Sequence, residues 1–124
     1  MGDYRPAAAS VAAMKQFVTG VPGTSVVLDE HLDDNDGQMR PHLLMADLTR
    51  WFVAAVTAGD DRDVVAFLAA VELLYMSEDG DTRNVAGGSF GEYLLANPDP
   101  SEHAAVEAAR RLGGPATVRD LTSD

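Results

Sequence analysis

The densest group of chemistry-bearing side chains lies between residues 29 and 37. Asp29, Glu30, Asp33, Asp34 and Asp36 crowd one short stretch, with His31 among them and Gly37 at its end. Carboxylates at this density can chelate a hard cation or present a negative surface to a basic partner. Chelation fails on spacing. If Gly37 is aligned with the invariant glycine of a calcium-binding loop, Leu32 falls at the first ligand position and Leu43 at the bidentate twelfth, and neither offers an oxygen. Glu78-Asp79-Gly80-Asp81 fails in the same way. The expectation is therefore no metal site, and an acidic, solvated face with Asp29, Glu30, Asp33, Asp34 and Asp36 as its partner-facing residues.

The other reactive side chains are sparse. His31, His42 and His103 lack the four-residue spacing with an intervening glutamate that a zinc helix needs. All three read as surface histidines, with His31 near the edge of a core face one turn from Val27. There is no cysteine, which removes thiolate catalysis, thiolate metal sites and disulfides, and fits a reducing compartment. Ser89, in Gly88-Ser89-Phe90-Gly91, lacks the spacing of a nucleophile elbow. With Glu92 it forms a capping-box pattern. Gly87-Gly88-Ser89 has neither the following lysine nor the preceding strand of a phosphate loop. No catalytic residue and no cofactor are expected. A rival reading is a small enzyme or ligand-binding protein with a pocket near Gly87–Tyr93, served by Arg83, Glu92 and Tyr93.

Composition narrows the partners. The chain has 124 residues, 46% of them hydrophobic, and a net charge of −11, with a pI near 4.4. Nucleic-acid backbones and anionic membrane surfaces repel such a chain, whereas a basic protein is attracted. Only Lys15 is lysine; the other eight cations are arginine. No apolar run approaches the roughly 18–20 residues of a membrane span. Met1-Gly2-Asp3-Tyr4-Arg5 does not have the layout of a signal peptide, so a cytoplasmic protein is expected. The length suits one helical domain over 1–124.

The elements that position these residues are helices. Residues 42 to 79 hold two apolar periodic arms around Gly59-Asp60-Asp61. In the first, from Pro41 to Ala58, Leu44, Leu48, Trp51, Phe52 and Ala55 share a face. In the second, Val64, Phe67, Leu68, Val71, Leu74 and Tyr75 do so, with Asp60 as its cap and Gly80 as its stop. So tight a link implies antiparallel neighbours. Trp51 and Phe52 are expected to anchor the core. Before the hairpin, residues 6–19 form a helix opened by Pro6, with Val11, Met14, Phe17 and Val18 inward. A second helix, capped by Thr24 or Ser25, runs to Asp33 with Val27, Leu28 and Leu32 inward, and frays at its acidic end because the helix dipole is negative there. After the hairpin a weak helix over 83–86 breaks at Gly87-Gly88, since glycine costs about 1 kcal/mol in a helix. The chain restarts at Ser89 and stops at Asn97-Pro98. Asp99-Pro100-Ser101-Glu102 starts a helix to Leu112, and Pro115 opens a last turn to Leu121 before a loose tail. No strand pattern wins; Ser25-Val26-Val27-Leu28 is the best rival, but the acidic and leucine spacing that follows it favours a helix. The expected fold is all-α: antiparallel helix pairs in a compact bundle or a short HEAT-like stack of about six helices.

Two stretches carry a family resemblance: Leu43-Leu44-Met45-Ala46-Asp47-Leu48-Thr49-Arg50-Trp51, and Asn84-Val85-Ala86-Gly87-Gly88-Ser89-Phe90-Gly91-Glu92-Tyr93-Leu94. Over 43–95 the chain resembles a group of small bacterial helical proteins known as a domain of unknown function. The resemblance implies an all-α fold and an immunity-type or accessory role, with no catalytic residue to carry over. Taken together, these readings lead to a non-enzymatic protein-binding module, monomeric or homodimeric, that engages a basic partner such as a toxin.

Overall fold

A computed structural model describes residues 7–97 and 99–122. The expectations for Met1–Pro6, for Pro98 as a stop, and for a loose Ser123-Asp124 lie outside those residues. The described chain forms α1 (Ala8–Gly20), α2 (Ser25–Asp34), α3 (Pro41–Ala58), α4 (Asp61–Tyr75), α5 (Gly80–Ala86), a π-helical turn (Gly87–Gly91), α6 (Glu92–Ala96), α7 (Pro100–Leu112) and α8 (Pro115–Thr122), with no strand among them. The fold is all-α, as the periodicity predicts. α5, the π turn and α6 run on without a break, so the packing units number close to the expected six.

α3 is the axis. It packs most extensively on α7, and also against α1, α2, α4, α5, α6 and the π turn. A repeat stack touches only sequence neighbours, so this arrangement is a compact bundle, with α7 returning to a helix more than forty residues earlier. The core centres on Phe67 of α4. Its ring lies 5.0 Å edge-on from Phe17 of α1, 4.8 Å stacked on Phe52 of α3, and 5.9 Å from Phe90 of the π turn. Each such pair contributes about 0.5–1.5 kcal/mol beyond its area.

Trp51 is not in that centre. It is half-buried, stacked on Phe67 at 5.9 Å, while Phe52 is fully enclosed. The indole instead covers the α1–α2 turn, where a Cβ on Gly23 would stand 3.2 Å from its ring. Adjacent helical positions diverge by about 100°, so only one of two neighbouring aromatics can point at the axis of the core.

The hairpin closes as expected at Gly59, in the left-handed region at φ 73°. The Asp60 N–H then bonds the Ala55 carbonyl at 3.0 Å, which satisfies a terminal acceptor of α3. The Asp60 carboxylate, however, makes no capping bond; Asp61 and Asp63 supply the negative charge in the first turn of α4. α4 ends at Tyr75 rather than at Gly80. Gly80 is instead the first residue of α5, because Asp79 caps that helix, accepting from the Thr82 N–H at 2.9 Å and its hydroxyl at 2.7 Å.

The expected break at Gly87-Gly88 is absent, and so is the capping box at Ser89. Thr82, Ala86, Phe90 and Leu94 are all buried, at strict four-residue spacing. In an α-helix each such step drifts by about 40°, which would carry Leu94 off the core. A π turn accommodates an extra residue and removes the drift. Gly87 carries ordinary helical angles there, φ −65° and ψ −47°, which any residue can adopt.

Candidate functional site

The acidic stretch is built on α2 and the turn after it. Val26, Asp29, Glu30 and Asp33 recur at three- and four-residue spacing and are all exposed, so they share one outward face. Asp34 and Asp36 continue it and are exposed as well. Among the described residues none of the five carboxylates joins an ion pair. Val27, Leu28 and Leu32 pack inward as half-buried side chains.

The acidic end of α2 is closed rather than frayed. The Gly37 N–H returns to the Leu32 carbonyl at 2.7 Å, and the Asn35 N–H reaches the same carbonyl at 3.2 Å. Asp36 at φ 56° and Gly37 at φ 79° make the reversal. The Asn35 amide also donates to the His31 carbonyl at 2.7 Å. Three local bonds thus offset the unfavourable carboxylate–dipole interaction, worth about 0.3–1 kcal/mol per charge.

His31 sets the position of this platform. It is a buried residue, 2% exposed, and not the surface histidine of the sequence reading. Its Nε2 accepts the Arg40 N–H at 2.9 Å, which puts the ring proton of the neutral imidazole on Nδ1. Nδ1 faces the Asp47 carboxylate at 3.6 Å, and Asp47 is also paired with Arg50. One side chain therefore ties α2 to the start and middle of α3. The signal was present in the sequence: His31 lies three after Leu28 and four after Val27, on the apolar stripe.

Thr24 does not cap α2. Its hydroxyl donates to the Val21 carbonyl at 2.7 Å.

The rival residues do not converge. Arg83 donates to the Ser77 carbonyl at 2.7 Å, Glu92 is exposed, and Tyr93 packs against the core. Ser89 meets a different pair. Its Oγ lies 3.4 Å from His42 Nδ1, and His42 Nε2 lies 3.1 Å from Asp81 Oδ1. Ser10 of α1 donates to the other Asp81 oxygen and lies 3.2 Å from the Thr82 hydroxyl. The Ser10 hydroxyl, then His42, hold the Asp81 carboxyl below its usual value. Serine, imidazole and carboxylate in this order could move a proton off Oγ. Ser89 sits inside a continuous helix, though, whose backbone N–H groups are spent on its own carbonyls, so no donors aim at a developing oxyanion. The chain Ser10–Asp81–His42–Ser89 acts as a polar brace across α1, α5, α3 and the π turn.

A second carboxylate brace holds the far end. Glu72 of α4 accepts from the Ala116 and Thr117 N–H groups, each at 2.9 Å, and from the Thr117 hydroxyl at 2.8 Å. Burial pushes its carboxyl up, but those bonds outweigh burial and hold it below the ordinary value. Tyr75 likewise donates to Asp120 at 2.6 Å; burial first, then Asp120, pushes its hydroxyl up.

No group of three or more His, Cys, Asp or Glu residues placed to hold a metal ion occurs among the described residues. No described helix is long and apolar enough to cross a membrane. No curated protein and no solved structure matches the chain. The model of a family described as a domain of unknown function (DUF7674) matches residues 14–115, a span that includes α2 and α7 as well as 43–95. The chain belongs to that family.

Proposed function

We propose that this chain is a non-enzymatic protein-binding domain that recognises a basic protein through the outward face of α2. In its finer form the reading is a bacterial immunity-type or accessory protein, as the resemblance over 43–95 implies, cytoplasmic and directed at a basic toxin, as the sequence layout and net charge favour. One observation supports it above the others. Asp29, Glu30, Asp33, Asp34 and Asp36 stand exposed without an ion-pair partner among the described residues, whereas Glu72 and Asp81 are consumed by internal bonds. Exposed carboxylates with no internal task remain available to an external cation. A platform pinned by His31 also loses little conformational entropy when a partner docks. Val26, exposed on the same face, adds an apolar contact beside the charges.

The test is a pull-down from the native host at low and moderate salt, with the tagged chain as bait. A specific basic protein is expected at low salt, with retention weakened at moderate salt as screening shortens the reach of the field. Recovery of no specific partner under either condition would remove the reading.

A further inference from the structure

Among the described residues, the face of α4 opposite its core stripe is another part of the surface with no internal task. Arg62, Val65, Ala69, Leu73 and Met76 follow one another at steps of three and four residues, the spacing of a helix–helix seam. Val65 is 49% exposed, Leu73 73% and Met76 68%. Beside the seam a groove of about 770 Å³ opens between α4 and α1, floored by Ala13, Phe17, Ala66 and Ala70.

Charge selects the occupant. On a chain of net charge −11 two copies repel across most of the surface. The α4 seam carries no carboxylate; its one charged member is Arg62, and the groove beside it adds only Lys15. We propose that this seam is the contact between two copies of this chain, joined by a two-fold axis that crosses α4 near Ala69. A two-fold contact of antiparallel helices centred there sets Val65 against Leu73 of the second copy and Ala69 against Ala69, where a small residue lets backbones approach. It also brings the first turn of α4 to the C-terminal end of the second α4, where exposed Glu78 follows, so that Arg62 is favoured there and the neighbouring Asp61 is not. A cation is favoured at that end by the helix dipole. The surface is separate from the acidic face of α2, so the homodimer stands or falls independently of the proposed function.

The experiment is sedimentation equilibrium on the full chain from micromolar to millimolar concentration. The wild type is expected to move from 13.1 kDa to twice that mass. Leu73→Glu should remain at the monomer mass with an unchanged circular dichroism spectrum and melting temperature. Val26→Glu, an equally apolar-to-acidic change elsewhere, should dimerise like the wild type. Because the chain lacks cysteine, a single Ala69→Cys gives a second readout. On mild oxidation it should cross-link at least tenfold faster than Ala54→Cys, an exposed site on α3. A wild type that stays at 13.1 kDa throughout, a Leu73→Glu variant that still dimerises, or equal cross-linking at 69 and 54 would each overturn the proposal.

Discussion

At the scale of the residue, His31 and Gly114 show how little of a side chain's task lies in its type. Replacing His31 by alanine leaves the part-buried Arg40 N–H without this acceptor. That change is expected to cost about 1–3 kcal/mol in urea denaturation, and hydrogen exchange should report α2 opening before α3. Glu72 offers the pH counterpart. Its folded pKa lies below its ordinary value, as does that of Asp81, so the native state binds fewer protons than the unfolded chain. Their contribution is complete above the unfolded values and is lost as pH falls through the folded ones. The urea midpoint should therefore decline below about pH 4.5, the ordinary glutamate range, and the decline should be shallower in Glu72→Gln. Gly114 is packed against the Glu72 side chain so closely that an added Cβ would collide with it. Gly114→Ala is expected to destabilise by about 1–3 kcal/mol by overpacking.

At the scale of the element, the π turn separates local propensity from tertiary demand. Gly87 adopts helical angles, and an added Cβ would meet nothing within 4 Å. Gly87→Ala should therefore stabilise the chain by about 0.4–1 kcal/mol through the unfolded state, measured by thermal melts. A break at that point would instead make the change neutral or harmful. The elements legible in the sequence were those with long apolar periods and proline or glycine punctuation: both hairpin arms, the Gly59 turn, and the starts at Pro100 and Pro115. The continuity through Gly87-Gly88 was hidden, because the four-residue spacing of Thr82, Ala86, Phe90 and Leu94 becomes a burial pattern only against Phe52 and Phe67. Asp79 was hidden too, since either Asp79 or Asp81 could cap a helix by type alone. Of the candidate site, the five carboxylates could be read directly. For His31, the residue that holds them in place, the apolar stripe signals burial, but its acceptor role does not show in the sequence, because it depends on the Arg40 backbone of the following segment.

At the scale of the molecule, α3 is wrapped by α1, α2 and α4 to α7, and the interior is arranged around Phe67. Truncation of Phe67 to alanine should cost about 3–5 kcal/mol, and Trp51→Ala, at a half-buried site, clearly less in the same assay. The two surfaces proposed for contact differ in chemistry: the outward face of α2 is acidic, and the seam of α4 is apolar. Local carboxylates and overall charge can both attract a basic protein, and only a comparison at equal net charge separates them. The decisive measurement is the affinity of the captured partner for two triple variants, each three charges less negative than the wild type. One carries Asp29→Asn, Glu30→Gln and Asp33→Asn on α2; the other carries Asp61→Asn, Glu78→Gln and Asp99→Asn elsewhere. The α2 variant should lose at least tenfold in affinity while the other stays near wild type; equal losses in both, or none in the α2 variant, would contradict a binding face on α2.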